Sequence, residues 1–146
     1  MKPFYGNKLV SQVISRSRLN RLTIKNKKHI IYLTQDDYIN LINICLGFYS
    51  PLTGFCDYKD FYSITRKNKL NNSIDWTIPI LLNSSFKKKG YVKLKYKSKI
   101  VGVIDVKSTF KINKKLFNKK VFGTNSSSHP GAAKIKKRKN YFISGK

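Results

Sequence analysis

The alternation of apolar and polar residues predicts a β-hairpin in the second half of the chain. Within 91–97, valine, leucine and tyrosine alternate with lysines, and this period of two is typical of a half-buried strand. The apolar run 100–106 follows a polar turn and predicts the returning strand. Further apolar runs predict strands at 29–33, 76–82 and 140–144. Because Pro79 lacks a backbone donor, the strand that contains it is expected at an edge or a bulge.

Helical spacing predicts a helix directly after the first of these strands. Thr34 and Asp37 have the spacing of a capping box, in which each side chain accepts a hydrogen bond from the other residue's backbone N–H. Apolar residues then recur at helical spacing up to Cys45, and Gly47 is expected to end the helix. Shorter helices are predicted at 57–64 and 114–122, and a loop at 126–131. These elements together predict an α+β fold that is mostly β with short helices.

Length and composition are typical of one globular domain. The 146 residues can bury a core without disulfides, and 40% of them are hydrophobic. No apolar run reaches about 18 residues, and no apolar block follows the early charges, so neither a transmembrane helix nor a secretory signal peptide is expected. The 2 cysteines are too few for a disulfide framework or a four-ligand zinc site. A cytoplasmic, reducing compartment is therefore expected.

The charge is strongly positive, and two explanations remain open. The 31 lysines and arginines face 6 aspartates and no glutamate, which gives a net charge of +25. Codon bias is one explanation, because residue types with AT-rich codons such as lysine, asparagine and isoleucine are abundant. Binding to nucleic-acid phosphates is the other, and weak, sequence-independent binding that is lost at moderate salt is expected. The densest basic run, 136–139, is predicted to lie in a solvated loop.

Side chains suited to catalysis are few. His29 and His129 lie far apart in sequence, and His129 precedes a Pro-Gly pair in the predicted loop. Cys45 falls on the apolar face of the predicted helix, and Cys56 has no neighbouring histidine. Neither a P-loop nor a dinucleotide-binding glycine motif occurs. The chain alone is therefore not predicted to be an enzyme, and no catalytic, cofactor-binding or metal-binding residue is predicted.

Several short motifs, in a fixed order, resemble the N-terminal domain of the ATP sulfurylases (sulfate adenylyltransferases). The most specific motif is Phe-Tyr-Ser-Pro-Leu-Thr-Gly-Phe at 48–55. The others are Gly-Asn-Lys-Leu-Val at 6–10, Trp-Thr-Ile-Pro-Ile at 76–80, Val-Phe-Gly-Thr at 121–124, His-Pro-Gly at 129–131 and a closing strand at 141–145. The chain departs from the family at Asn7 and Cys56, where the family has glycine and methionine.

The resemblance implies a single PUA-like domain over 1–146, a β pseudo-barrel with a few helices. It implies a role in sulfate assimilation or sulfur oxidation, in which the family makes adenylyl sulfate and pyrophosphate from sulfate and MgATP. The family binds the phosphates through Gln-x-Arg-Asn-Pro and His-x-x-His segments of a following catalytic domain. Gln12 and Gln35 start no such motif, and neither histidine has a partner at that spacing. The chain is thus expected to stop before the catalytic domain and to hold no cofactor.

The resemblance also makes the turn after the predicted helix a candidate interface with that catalytic domain, joined in cis or in trans. The candidate residues are Ser50, Pro51, Leu52, Thr53, Gly54 and Phe55. Pro51 and Gly54 are expected to fix the turn, and Leu52 is expected to be exposed. The alternative is that Phe48, Leu52 and Phe55 fill the core of this domain.

A second interpretation is a free-standing basic PUA-like domain that binds RNA. Such a site needs exposed aromatic side chains among cations. Tyr91, Tyr96 and Tyr141 lie near lysines, but the alternation places Tyr96 with the core-facing residues. No membrane partner is expected, and a homo-oligomer is left open.

Overall fold

The computed structural model of the chain describes residues 9–25 and 29–146. Five helices and five strands lie in these residues. In chain order they are α1 (Arg16–Lys25), β1 (Ile30–Tyr32), α2 (Gln35–Cys45), α3 (Tyr58–Lys67), β2 (Leu82–Ser84), β3 (Gly90–Tyr96), β4 (Lys99–Phe110), α4 (Lys114–Phe122), α5 (Pro130–Lys137) and β5 (Tyr141–Gly145). The Gly-Asn-Lys part of the first motif, at 6–8, lies outside the described residues.

The chain divides into two compact units, each made of separate segments. Unit 1 consists of Met1–Phe55, Lys88–Ser108 and Ser144–Lys146, and unit 2 consists of Cys56–Lys87 and Thr109–Ile143. The strands are hydrogen-bonded in the order β1-β3-β4-β5-β2, and both β4 and β5 contain residues of each unit. The units are therefore not consecutive in sequence. The assignment of 1–146 to a single domain stays a prediction.

Unit 1 is built around the predicted hairpin. β3 pairs antiparallel with β4, with a register shift between Leu94 and Lys95, and β1 pairs in parallel with β3. Val92 and Leu94 are 0% exposed, so the alternation of β3 places its apolar face in the core. The other buried apolar residues of this unit are Ile31, Leu33, Ile44, Leu52, Phe55, Ile104 and Val106.

The capping box predicted for α2 is present. Thr34 Oγ1 accepts a hydrogen bond from the Asp37 N–H at 3.2 Å, and Asp37 Oδ2 accepts one from the Thr34 N–H at 3.2 Å. At the other end, Leu46 is the C-cap and Gly47 follows it with a φ of +84°. Glycine adopts this left-handed conformation without the steric cost that a Cβ brings, so Gly47 ends the helix as predicted.

Unit 2 packs aromatic side chains from its helices and strands together. The rings of Phe61 and Phe117 stack with centroids 5.8 Å apart, and those of Phe110 and Phe142 with centroids 6.2 Å apart. The fully buried Asn118 of α4 donates to the Ala132 carbonyl at 3.1 Å, which joins α4 to α5. Asp57 caps α3 by accepting from the Asp60 N–H at 2.9 Å, and β2 pairs antiparallel with β5.

Most of the predicted strands are confirmed, but the strand predicted at 76–82 is wrong. Only Leu82 of that run belongs to a strand, β2. Pro79 has no N–H to donate to a neighbouring strand. The Ile80 carbonyl accepts a hydrogen bond from the Cys56 N–H at 2.9 Å rather than from a strand. Ile78 is 49% exposed, so the apolar density of this run does not correspond to a continuous buried strand.

Two helices were not expected from the sequence. The predicted loop at 126–131 and the predicted solvated loop at 136–139 are wrong where they overlap α5. His129 caps α5 by accepting from the Ala132 N–H through Nδ1 at 3.3 Å, and Pro130 suits the first helical turn. α1 was not predicted at all, because its mostly polar sequence lacks a strong apolar period.

The predicted α+β class is confirmed, although the helices contain more of the described residues than the strands do. The helices predicted at 57–64 and 114–122 correspond to α3 and α4. Over the described part of the chain, no helix combines the length and the apolar character needed to cross a bilayer.

We expect Thr34→Ala to destabilise the chain by about 0.5–2 kcal/mol, because it removes the side-chain acceptor of the α2 capping box. The measurement is urea unfolding followed by circular dichroism. Thr34→Ser keeps the hydroxyl and serves as the matched control, which should lose much less. Equal losses from both substitutions would mean that the threonine methyl group, rather than the cap, stabilises this site.

Candidate functional site: the 46–55 segment and a neighbouring cavity

The 46–55 segment, which contains the candidate interface, is fixed at its start by residues 9–10. A Cβ on Gly47 would lie 2.4 Å from Leu9 Cδ1 and 2.9 Å from the Val10 carbonyl oxygen. Ser50 is 4% exposed, and its Oγ accepts from the Val10 N–H at 2.9 Å and donates to the Gly47 carbonyl at 2.6 Å. Ser50 thus pairs the Val10 N–H, and it adds a second hydrogen bond to the Gly47 carbonyl, which also accepts from the Ser50 N–H at 3.0 Å.

The end of the segment passes very close to the backbone of Gly145, which in turn passes very close to that of Asp105, all within unit 1. A Cβ on Gly54 would lie 1.8 Å from the Gly145 carbonyl oxygen, and a Cβ on Gly145 would lie 2.1 Å from the Asp105 carbonyl oxygen. Phe55 forms an isolated antiparallel bridge with Gly145, and the Asp105 N–H donates to the Lys146 carbonyl at 2.9 Å. No side chain larger than hydrogen fits at Gly54 or Gly145, so both glycines are needed for this approach.

The apolar side chains of the segment are buried and exposed in a different pattern from the one that the sequence predicted. Leu52 is 6% exposed, so the expectation that it lies on the surface is wrong, and Phe55 is also buried in the core of unit 1. The Leu52 N–H donates to the Tyr49 carbonyl at 2.8 Å, which closes a tight turn. Thr53 is exposed, and Pro51 and Gly54 are half-buried. The assignment of 50–55 as a domain interface stays a prediction.

The exposed apolar side chains lie at the start of the segment instead. Phe48 is 75% exposed and Leu46 is 51% exposed. Ile39 is 46% exposed and lies seven residues before Leu46, close to two helical turns, which places the two on one side of α2. We call Ile39, Leu46 and Phe48 the Phe48 surface. Phe48 follows Leu46 by two residues, and exposed large apolar side chains of this kind are candidates for an interaction site.

A cavity of about 540 Å³ lies within unit 1, next to the same segment. Thr53, Gly54 and Phe55 form part of its wall, and the rest comes from residues 12–14, α1, α2 with the adjoining Leu46, β3, β4 and residues 145–146. Most of the wall is apolar, and Gln12, Arg18 and Asp105 contribute polar groups. Its volume lies within the range of small-molecule sites.

The thiols are poorly placed for chemistry. Cys45 lines the cavity, and burial raises the pKa of its thiol. Cys56 is 2% exposed, and burial, together with the Asp60 and Asp57 carboxylates, raises the pKa of its thiol to about 12. The thiolate is the nucleophilic form, so neither cysteine is activated.

The histidines have structural positions. His129 caps α5, and its ring lies 5.0 Å from that of Phe122. The His29 carbonyl accepts from the Lys93 N–H at 3.1 Å, next to the β1–β3 pairing. Among residues 9–25 and 29–146, no group of three or more histidine, cysteine or acidic side chains is placed to hold a metal ion.

Comparison with known proteins identifies relatives along almost the whole chain. A family model described as a PUA-like domain matches residues 1–146. A sulfate adenylyltransferase from Staphylothermus marinus is 31% identical over 97% of this chain and 39% of its own length. A sulfate adenylyltransferase from Hyperthermus butylicus is 32% identical over 97% of this chain and 38% of its own length. The chain therefore spans well under half the length of these curated relatives.

A solved structure has the same fold. In a hexameric APS kinase from Thiobacillus denitrificans, a region that makes up 26% of that chain superposes on all of this one with a TM-score of 0.65 and 16% sequence identity. At this identity the likeness concerns the fold alone.

We expect Gly54→Ala to destabilise the chain by at least about 1–3 kcal/mol, because backbone must move to admit a Cβ at 1.8 Å from the Gly145 oxygen. Gly102→Ala is the matched control in the same unit, since its Cβ would meet only the side chains of Leu41 at 3.4 Å and Leu94 at 3.8 Å. Thermal unfolding should show a large loss for the first variant and a small change for the second. Similar midpoints would mean that the backbone approach at Gly54 is looser than described.

We also expect Cys56 to resist alkylation in the folded chain. With a pKa of about 12, its thiolate fraction at pH 8 is roughly three orders of magnitude below that of an ordinary cysteine. Iodoacetamide labelling of the Cys45→Ser variant should be very slow until urea is added, and the Cys56→Ser variant should label faster through Cys45. Fast labelling of Cys56 in the folded chain would contradict the burial of its thiol.

Proposed function

The chain belongs to the family of PUA-like domains, and we propose that it is the N-terminal domain of a sulfate adenylyltransferase. The proposal is supported by the share of each of the two sequences that the match covers. The match to the Staphylothermus marinus enzyme uses 97% of this chain but only 39% of the enzyme. Such a match is expected of one domain of a larger protein.

In this proposal, the chain is a structural and interface module, and the catalytic groups belong to the remainder of the enzyme. Sulfate adenylyltransferases join sulfate to the α-phosphate of ATP and release pyrophosphate. Stabilising the charge that develops on the phosphate oxygens requires cationic and hydrogen-bonding groups held in place. The two segments that supply these groups in the family have no counterpart in the sequence of this chain.

The Phe48 surface is the proposed contact with the catalytic domain. Its side chains follow or lie on α2, and the most specific family motif, 48–55, begins at Phe48 itself. The buried residues of the motif hold the turn in place, and this positions the exposed ones. The fold also occurs in a hexameric APS kinase, so assembly of the complete protein into an oligomer is compatible with this module.

We expect chain 1–146 alone to release no pyrophosphate from ATP in response to sulfate. A chimera that carries this chain in place of the matched part of the Staphylothermus marinus enzyme should fold and show sulfate-dependent pyrophosphate release. Activity of the isolated chain above a blank would contradict the proposal, and so would a folded chimera in which the two parts do not interact, as measured by separate unfolding transitions.

We expect Phe48→Asp to weaken binding of the remaining part of that enzyme, added in trans, by at least about tenfold, which corresponds to about 1.4 kcal/mol. Isothermal titration calorimetry measures the binding, and circular dichroism verifies that the variant is folded. Ile78→Asp, at a 49% exposed position of unit 2, is the matched control and should bind normally. Leu52→Asp should unfold the chain because Leu52 is buried. Equal binding by the Phe48 and Ile78 variants would exclude the Phe48 surface as the contact.

A further inference from the structure

Two lysines flank one tyrosine at the start of β5. The ammonium group of Lys87 lies 5.3 Å from the centroid of the Tyr141 ring, and that of Lys111 lies 5.2 Å from it. Both distances fall within the range of cation–π attraction. Both lysines are exposed, and Tyr141 is half-buried. The ring therefore holds two like charges in one neighbourhood, where they would otherwise repel each other.

Further cationic residues lie at the same place, held through backbone groups or through the Lys114 ammonium. The Asn83 amide accepts from the Lys139 N–H at 2.6 Å and donates to the Tyr141 carbonyl at 2.8 Å. The Lys114 ammonium donates to the Arg138 carbonyl and, at 3.5 Å, to the Lys136 carbonyl. These contacts lie within unit 2 and hold the backbone of residues 136–139 and the Lys114 ammonium near the start of β5, while the Lys136 ammonium donates to Ser127 Oγ at 3.0 Å. We call the set the Tyr141 cluster: Lys87, Lys111, Lys114, Lys136, Arg138, Lys139 and Tyr141.

The acidic residues of unit 2 all form hydrogen bonds or an ion pair at α3 or in the turn that follows it. Asp57 caps α3, Asp60 accepts from the Asn71 N–H at 2.9 Å, and Asp75 pairs with Lys69 at 2.5 Å. The parts of unit 2 that build the cluster, 76–87 and 109–143, contain no acidic residue. The positive field of the cluster is therefore not reduced by a carboxylate from its own segments.

We propose that the Tyr141 cluster binds the phosphate backbone of a nucleic acid without reading its sequence. A nucleic acid presents a uniform row of negative charges, which suits a surface of one sign. The surface of a protein partner usually carries charges of both signs, and its lysines would find no carboxylate in these segments to pair with. Most cations of the cluster are lysines, which bind phosphate as point charges rather than through the bidentate geometry that reads bases. The proposal does not depend on the one made for the sulfate adenylyltransferases.

The test compares two double variants that each remove two positive charges from unit 2. Lys87→Gln with Lys111→Gln alters the cluster, and Lys59→Gln with Lys67→Gln alters exposed lysines of α3, near its acids. Fluorescence anisotropy follows the binding of a labelled single-stranded RNA of about 20 nucleotides between about 50 and 200 mM salt. The cluster variant should bind more weakly, with a slope of log K against log salt that is shallower by about 1.4, or about 0.7 for each lost phosphate contact. The α3 variant should keep the original slope.

Three results would overturn the proposal. Equal losses from both double variants would show that net charge alone drives binding. Tighter binding of poly-glutamate than of RNA at the same salt would favour an acidic protein partner. A preference of about thousandfold for one RNA sequence would show base readout. Circular dichroism verifies that each variant is folded. Lys87→Gln alone, at an exposed position between β2 and β3, gives the same comparison with half the effect if the double variant fails to fold.

Discussion

The close approach of three backbone segments in unit 1 is the constraint on which its other features depend. Gly54 and Gly145 have no room for a Cβ, because the Gly145 and Asp105 carbonyl oxygens lie where these atoms would be. The approach brings together Gly54, Asp105 and Gly145, which are distant in sequence, and all three line the cavity. Contacts this tight leave no space for relaxation, since protein interiors are packed as densely as organic crystals. The end of the 46–55 segment is thereby fixed, and Leu52 and Phe55 are directed inward.

Elements whose stability is local could be predicted from the sequence. α2 is an example, because Thr34 and Asp37 form its capping box with each other and need no distant partner. The β3–β4 hairpin is another, since alternation specifies both the strands and the buried face. α5 could not be predicted in this way. Its apolar content is low, and its place depends on the burial of Ala132 against the Asn118 amide, a contact from α4. The strand prediction for 76–82 is wrong for a similar reason, since apolar density alone does not reveal whether a strand partner is available.

The candidate site shows where sequence patterns stop being informative. The motif at 48–55 locates the segment correctly, but it does not say which apolar side chain faces the solvent. That choice depends on long-range hydrogen bonds, such as the one from the Val10 N–H to Ser50 Oγ, and on the glycine contacts described above. Sequence spacing also placed Tyr141 near lysines, but Lys87 and Lys111 reach its ring from 54 and 30 residues away. The contact with Lys87 depends on the pairing of β2 with β5, which the sequence does not reveal.

Three of the 6 acidic residues lie where the fold uses a carboxylate as a hydrogen-bond acceptor. Asp37 completes the α2 capping box, Asp57 caps α3, and Asp60 binds the Asn71 N–H even though burial raises the pKa of its carboxyl group. A change of charge at an exposed position costs little stability, whereas these carboxylates accept hydrogen bonds that help to hold the fold. Within a net charge of +25, these three carboxylates thus have structural roles. The cations of the Tyr141 cluster lie in segments of unit 2 that contain no carboxylate. A functional role for charge in this chain therefore depends on this local arrangement rather than on the total.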